Sequence, residues 1–484
     1  MSKTDTPQPR GLGRTPQARL FLAGTLSMML TLMFNGTLYL AYDGIFGWSR
    51  DVSTGTSIVL ALAGLMATRS DPRLVKPLPI TAAVIALGLA GYALCGVGAA
   101  MRLAPAIVVG VVAAAPIDLW GVVLWLLALA RLTRRQACLS MATSGLVGIV
   151  LAFAINEWAP YWLANIVAAT SSVAVVALCW PLTQDFFARL PLVEPPASQR
   201  VTQPGALMPL SHSFYVYIFV FSVAYGFALR CENDTGPLVV TVASLVSTGA
   251  VALYAWRAKG PTRVDSLFVA SFFSVAVGFM FVLMGDHRCA QLASTLLMAG
   301  YMCFELLIWL ALSAAAQRNT AEAIPTICWG NAVSYMGITV GVTLWLIPND
   351  FLAPLLSGDD LLQDVLVIVV LSSIVLYTLL TRRTFVFDAA IEGIAPDVLT
   401  PQVEVQYVDE LAARCDAAVK RYGLTAREAD VMRSLAHGNT AARAQADLGI
   451  SYNTVKYHVK NVYAKMGVHS QQELIDLLSE DARG

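Results

Sequence analysis

Two sets of residues have the types and the spacing to do chemistry. The first is Asn453, Lys456, Tyr457, Lys460 and Asn461, interleaved with Val455, Val459, Val462 and Met466 at steps of four, three and four. That spacing gathers the apolar side chains on one helix face and leaves the amides, ammonium groups and phenol on the other. Lysines neutralise phosphate or reach guanine acceptors, and asparagine pairs with adenine, so the polar face suits a helix lying in the major groove of DNA. An ordinary solvated amphipathic helix fits the same periodicity. The second set is a pair of acids, Asp118 and Glu305, each inside a long apolar run. A carboxylate there is expensive and points to a cavity, a ligand or a partner. Protonation with a hydrogen bond to a helix neighbour is the plainer reading. Asp118 lies thirteen positions before Arg131 and Glu305 thirteen before Arg318. As helix that is about 20 Å, somewhat beyond the middle of an apolar membrane core about 30 Å thick. Trp120 and Trp309 lie close by in sequence and join the two acids as candidate ligand-sensing residues, although such aromatics serve equally as packing or interface anchors.

Other chemistries find no residues. No nucleophile triad, metal-ligand cluster or glycine-rich phosphate loop is present, so neither a catalytic site, a metal nor a cofactor is expected, and the chain does not read as an enzyme. The eight cysteines are scattered without a CxxC pair and suit small apolar packing.

The polar helix is framed by capping signals. Thr425-Ala-Arg-Glu428 is a capping box that opens a helix through Met432 and Leu435 as far as Gly438. Thr440 caps a second helix ending at Gly449, Ser451 caps the third, and Ser470-Gln-Gln-Glu473 opens a fourth. Leu424-Thr425-x-Arg427-Glu428, Gly438, Ile450-Ser451-Tyr-Asn-Thr454-Val455-Lys456-x-His458-Val459-Lys460-Asn461-Val462 and Lys465-Met466-Gly467-Val468 together resemble the LuxR/NarL-type helix-turn-helix of bacterial transcription regulators. The resemblance spans about sixty residues. It implies DNA contact through the third helix, with Lys456, Tyr457 and Lys460 at base edges and Thr454 and His458 near phosphates. Ser451, Asn453 and Asn461 complete the expected DNA-binding set. It also implies a homodimer on double-stranded operator DNA, supported by the last helix. Arg443-Ala444-Gln445 stands where the family usually has Glu-Ile-Ala. The acids of this domain equal its bases in number, so affinity for DNA of arbitrary sequence is expected to be modest.

Upstream, the composition changes class. With 57% apolar and 13% charged residues over 484 positions, the chain as a whole is a membrane protein carrying a polar domain. Residues 1–19 are polar and basic, and the run after them is too long for a cleaved signal. Apolar stretches of spanning length recur near 20–42, 52–68, 78–99, 103–130, 136–157, 159–181, 213–231, 237–257, 264–284, 289–316, 324–347 and 361–381, about twelve in all. Arginine and lysine concentrate in alternate connections: Arg69, Arg73 and Lys76; Arg131, Arg134 and Arg135; Arg189 and Arg200; Arg257, Lys259 and Arg263; Arg318; Arg382 and Arg383. By the positive-inside rule both chain ends are expected in the cytoplasm, and the resemblance to bacterial regulators implies the inner membrane. A proline-rich central connection, 182–212, separates halves 20–181 and 213–381. Two six-helix halves about a long central loop resemble the major facilitator superfamily, in which the fourth and tenth spans line a central cavity. That family's glycine-bearing Asp-Arg-x-Gly-Arg-Arg loop after the second span is replaced here by Thr68-Arg-Ser-Asp71-Pro-Arg73-Leu-Val-Lys76, which favours a sensor over a transporter.

The expected chain is therefore all-α: a basic tail (1–19), a membrane-embedded sensor for a small-molecule inducer (20–381), a linker and bracing helix (382–421), and a four-helix DNA-binding domain (422–484). In the linker, Tyr407, Val408, Leu411, Cys415 and Val419 recur at helical spacing. The alternative is a transporter whose DNA-binding domain is autoregulatory or incidental.

Overall fold

The computed structural model describes residues 14–70, 75–192, 212–231, 237–257, 265–282 and 287–346, and in the C-terminal part 421–436 and 452–468 with residues 415, 418, 419, 470, 471, 473, 474 and 477. The expected span 361–381, most of the linker, the second helix from Thr440 and its cap-bearing neighbour Ser451 lie outside these residues. The chain divides into two compact units, Met1–Leu399 and Thr400–Gly484.

The first unit is a helix bundle. A first span runs from α1 (Arg14–Met33) through a π-helical segment (Phe34–Leu38) into α2 (Tyr39–Asp43). It is followed by α3 (Ser49–Ser70), α4 (Pro77–Met101), α5 (Ala104–Leu129), α6 (Arg134–Trp158) and α7 (Tyr161–Arg189). The second half holds α8 (His212–Cys231), α9 (Pro237–Arg257), α10 (Asp265–Val282), α11 (His287–Arg318) and α12 (Thr320–Leu346). Among the described residues, eight helices are long and apolar enough to cross a membrane. Val59, Met66, Leu78, Val109, Val246 and Phe273 are exposed on this unit, an arrangement that water penalises and lipid does not.

Helix pairing repeats between the halves. In the first, α1 packs on α6, α4 on α5, and α3 on α5; in the second, α8 packs on α12, α10 on α11, and α9 on α11. The halves meet through α3 with α12, α6 with α9, and α5 with α11. Close approach is made by glycine, because helices in lipid gain their attraction from backbone proximity and packing. A Cβ on Gly226 of α8 would strike the Ile338 carbonyl of α12, and Gly337 and Gly341 of α12 meet the backbone at Phe219 and Val223 of α8. Gly148 of α6 faces the Thr25 carbonyl of α1 in the corresponding place.

The π-helical segment has a local cause. Asn156 of α6 reaches into it, donating from Nδ2 to the Leu32 carbonyl at 3.4 Å and accepting from the Thr37 hydroxyl at 2.5 Å. A single π turn inside an α-helix frees a backbone carbonyl, and such turns recur at functional sites. At the end of the first half, α7 continues to Arg189, deeper into the expected central connection. Arg131 holds it there, donating to the Leu182 carbonyl at 2.9 Å and pairing with Asp185 at 3.3 Å.

In the second unit the described elements are α13 (Ala426–Ala436) and α14 (Tyr452–Met466), with parts of the flanking helices. The capping box closes as its sequence dictates: the Glu428 N–H donates to Thr425 Oγ1 at 3.4 Å, and the Thr425 N–H donates to Glu428 Oε2 at 2.8 Å. Ser470 caps the last helix by accepting from the Glu473 N–H at 3.1 Å. Val455, Val462 and Met466 of α14 are buried against Val431, Met432 and Leu435 of α13 and against Leu474. Cys415, Ala418 and Val419, helical residues ahead of the domain, join this core. The helix there stops at Gly423, whose φ of +63° is easy for glycine and strained for other residues.

Candidate functional site: a DNA-reading helix and a membrane cavity

Each unit carries one site. In the C-terminal unit, burial of the Val455 and Val462 face of α14 leaves Asn453, Thr454, Lys456, Tyr457 and Lys460 exposed together. Tyr457 is 63% exposed, far more than a phenol that serves only packing. Asn461 and His458 are half-buried, and the His458 ring meets Tyr457 nearly edge-on at 5.7 Å between centroids. The helix is held from behind. Lys465 donates to Glu428 Oε2 at 2.6 Å and to the Gly423 carbonyl at 3.2 Å, tying the end of α14 to the start of α13. That ammonium, and after it the Thr425 N–H, hold the Glu428 carboxyl down to about 2 from an ordinary 4.5. Lys465 is thereby committed to the fold.

In the membrane unit a cavity of about 210 Å³ opens between the halves, lined by residues of α1, the π-helical segment, α3, α5, α7, α8, α11 and α12. By the same measure about 10–15 Å³ suffices for one water, so the space suits a small organic molecule. Asp118 from α5 and Glu305 from α11 both line it. Their surroundings differ. Asp118 accepts from Ser172 Oγ at 2.6 Å and from the Tyr92 hydroxyl at 3.1 Å to each oxygen, and Tyr92 and Ser172 are themselves 3.0 Å apart. Glu305 is 8% exposed, Tyr301 stands one turn before it on α11, and its Oε2 has no hydrogen-bond partner. The aromatic wall beside it is ordered by stacking, with Tyr225 parallel to Tyr301 and Trp309 edge-on to Trp125 at 5.0 Å.

Of the two tryptophans expected near the acids, Trp309 lines the cavity and Trp120 does not. Trp120 instead donates from Nε1 to Thr81 Oγ1 at 2.9 Å and stacks on Phe187. Two residues of the cavity wall, Arg50 and Ser172, and Tyr92, which bonds to Asp118 without lining the cavity, were not singled out by the sequence. Arg50, which falls between the expected spans 20–42 and 52–68, lines the cavity from the first turn of α3 and lies over the Tyr39 ring at 5.7 Å. Tyr92 and Ser172 reach Asp118 from α4 and α7, and nothing in their own stretches marks them. Asn35, Asn165 and Asn331, polar residues within spans, suit bonds between helices. Asn165 makes one, to the Tyr92 carbonyl at 3.0 Å, whereas Asn35 and Asn331 bond back to Thr31 and Ile327 on their own helices.

These features place two kinds of site on one chain: an exposed polar helix face in the C-terminal unit and a cavity within a membrane bundle. Residues 423–478 match the family of bacterial regulatory proteins called luxR, or GerE. The probable transcriptional regulatory protein SgaR of Hyphomicrobium methylovorum is 48% identical over 54 residues, 11% of this chain and 26% of that protein. The present chain thus spans about a quarter of that relative's length. The membrane bundle is similar in fold to the human organic anion transporter MFSD10 (TETRAN), with a TM-score of 0.50 at 13% identity over 77% of this chain and 100% of that one. It is also similar to a bacterial homologue of the iron transporter ferroportin in an outward-facing state, with a TM-score of 0.51 at 14% identity over 78% of this chain and 99% of that one. Residues 423–478 therefore carry a LuxR-type DNA-binding domain, and the membrane bundle shares the fold of these transporters.

Proposed function

We propose that the protein is a membrane-embedded, one-component transcription regulator, in which a small molecule held in the cavity controls operator binding by the LuxR-type domain. The observation that carries this reading is the joining, in one chain, of a DNA-binding domain to a bundle whose inter-half cavity is lined by a carboxylate from each half. A ligand that binds the two arrangements of the halves unequally shifts their populations, and that shift is the signal. On DNA, Lys456, Tyr457 and Lys460 meet base edges, Thr454 and His458 lie near phosphates, and Ser451, Asn453 and Asn461 extend the contact. The active form is a homodimer on double-stranded DNA, anchored in the inner membrane with both ends cytoplasmic.

The test is a reporter strain in which the inducer is first found from the operon whose expression changes on deletion of the gene. Asp118→Asn and Glu305→Gln are expected each to abolish the response while leaving insertion and basal DNA binding intact. A full response in both variants would overturn the sensing role of the cavity. The second reading, a transporter with an autoregulatory DNA-binding domain, is favoured by the fold shared with transporters. It predicts proton-driven accumulation of a substrate in vesicles, unaffected by removing residues 400–484.

A further inference from the structure

Resting on the reading of the cavity as a ligand site, we infer that its ligand is a small organic cation, an amine protonated at neutral pH and carried on an aromatic or apolar body, with Glu305 as its counter-ion. Among the described residues three charged groups line the cavity: Asp118, Glu305 and Arg50. Among the described residues no ion pair joins Arg50 to either acid. Asp118 already has hydroxyl donors on both oxygens, from Ser172 and Tyr92. Glu305 has a buried oxygen with none. An ammonium group supplies the donor and the charge this oxygen lacks, in a low-dielectric place where such a bond is strong. A carboxylate ligand could pair with Arg50 at the cavity edge, but it would set a second negative charge beside two acids and leave the Glu305 oxygen without a donor. A neutral ligand could at most donate a hydrogen bond to the Glu305 oxygen and would leave its charge unpaired, which is costly when buried. Around the carboxylate stand Tyr301, Tyr225 and Trp309, faces and edges that attract a cation and pack against an apolar body. A bare metal ion is poorly served by the same wall, because hard cations require several oxygen ligands at once.

The experiment uses the full chain in lipid nanodiscs and matched trios of probes, each trio placing an amine, an alcohol and a carboxylate on one aryl-alkyl body: phenethylamine, 2-phenylethanol and phenylacetate, and their naphthyl and indolyl counterparts. Binding is measured by calorimetry and by the rise in unfolding temperature, with sodium chloride alone as a further arm. At least one amine is expected to bind roughly 10-fold or more tightly than its alcohol, the scale of a hydrogen bond to a charged group, and its acid is expected not to bind. Glu305→Gln should remove that preference for the amine, with Glu305→Asp keeping part of it; the wild-type comparison stands even where a variant fails to fold. The inference is overturned if no amine binds, if an alcohol or acid binds as tightly as its amine, if the preference survives in Glu305→Gln, or if sodium alone gives a Glu305-dependent stabilisation. The same compounds applied to a reporter strain separate the two ideas. Amine binding without any change in transcription supports the ligand class and removes the sensing role, whereas an acid that binds and induces does the reverse.

Discussion

Lys456, Lys460 and Tyr457 stand side by side on α14, yet their removal has different costs. A lysine on phosphate acts on every sequence alike, so Lys456→Ala or Lys460→Ala, to the extent that each touches phosphate, is expected to weaken binding broadly and lower the salt slope by about 1 each. Tyr457→Ala is expected to relax preference at one operator position by about 1–3 kcal/mol. Footprinting across a salt series with full-length protein distinguishes the two, and an unchanged footprint in the double lysine variant would move the reading face elsewhere. Lys465 has a different task, since its ammonium is bonded to Glu428. With the folded-state pKa of Glu428 near 2 and its ordinary value at 4.5, the unfolded chain takes up the proton first. The contribution to stability is full above about pH 4.5 and is lost as the pH falls toward 2. Lys465→Met should destabilise the domain at pH 7 by about 1–3 kcal/mol and flatten this acid dependence. Denaturant unfolding of residues 400–484 at several pH values measures both, and an acid limb as steep in the variant would assign the dependence to other carboxylates.

Elements are positioned by contacts of two ranges, and this decides what a sequence discloses. The contact of α8 with α12 is backbone on backbone at Gly226, whereas Gly249 of α9 has nothing nearer than Leu146 Cδ2 at 3.8 Å. Gly226→Ala is therefore expected to cost about 1–3 kcal/mol or more in overpacking and lower the unfolding temperature in detergent, while Gly249→Ala is tolerated. Equal thermal stability of the two would mean that α8 and α12 sit farther apart. Caps such as Thr425 with Glu428 and Ser470 with Glu473 were legible because both partners lie within one turn. The two cavity acids were legible because a charge in an apolar run needs no neighbour to be conspicuous. Their companions were not, since Tyr92 and Ser172 find Asp118 only through the packing of α4 and α7 on α5. Trp120 shows the limit of nearness in sequence. Two positions along a helix turn a side chain by about 200°, so it faces away from Asp118, whereas Trp309, four positions from Glu305, shares its face.

At the scale of the whole molecule, the chain divides into a bundle with repeated helix pairing and a small domain with its own core. Removing residues 400–484 is expected to abolish operator binding while leaving insertion and amine binding by the bundle unchanged, as read by calorimetry on the truncated protein. Loss of ligand binding on truncation would mean that the two units are energetically coupled even without DNA. Within the bundle, Trp125 belongs to the first half and Trp309 to the second, and their rings meet at 87° with centroids 5.0 Å apart. Two indoles that close and that inclined couple their electronic transitions, and the coupling depends steeply on separation and angle. The protein thus carries an optical gauge of the gap between its halves. Rocking of one half against the other changes the near-ultraviolet circular dichroism without any attached dye, and the Trp125→Phe variant supplies the blank.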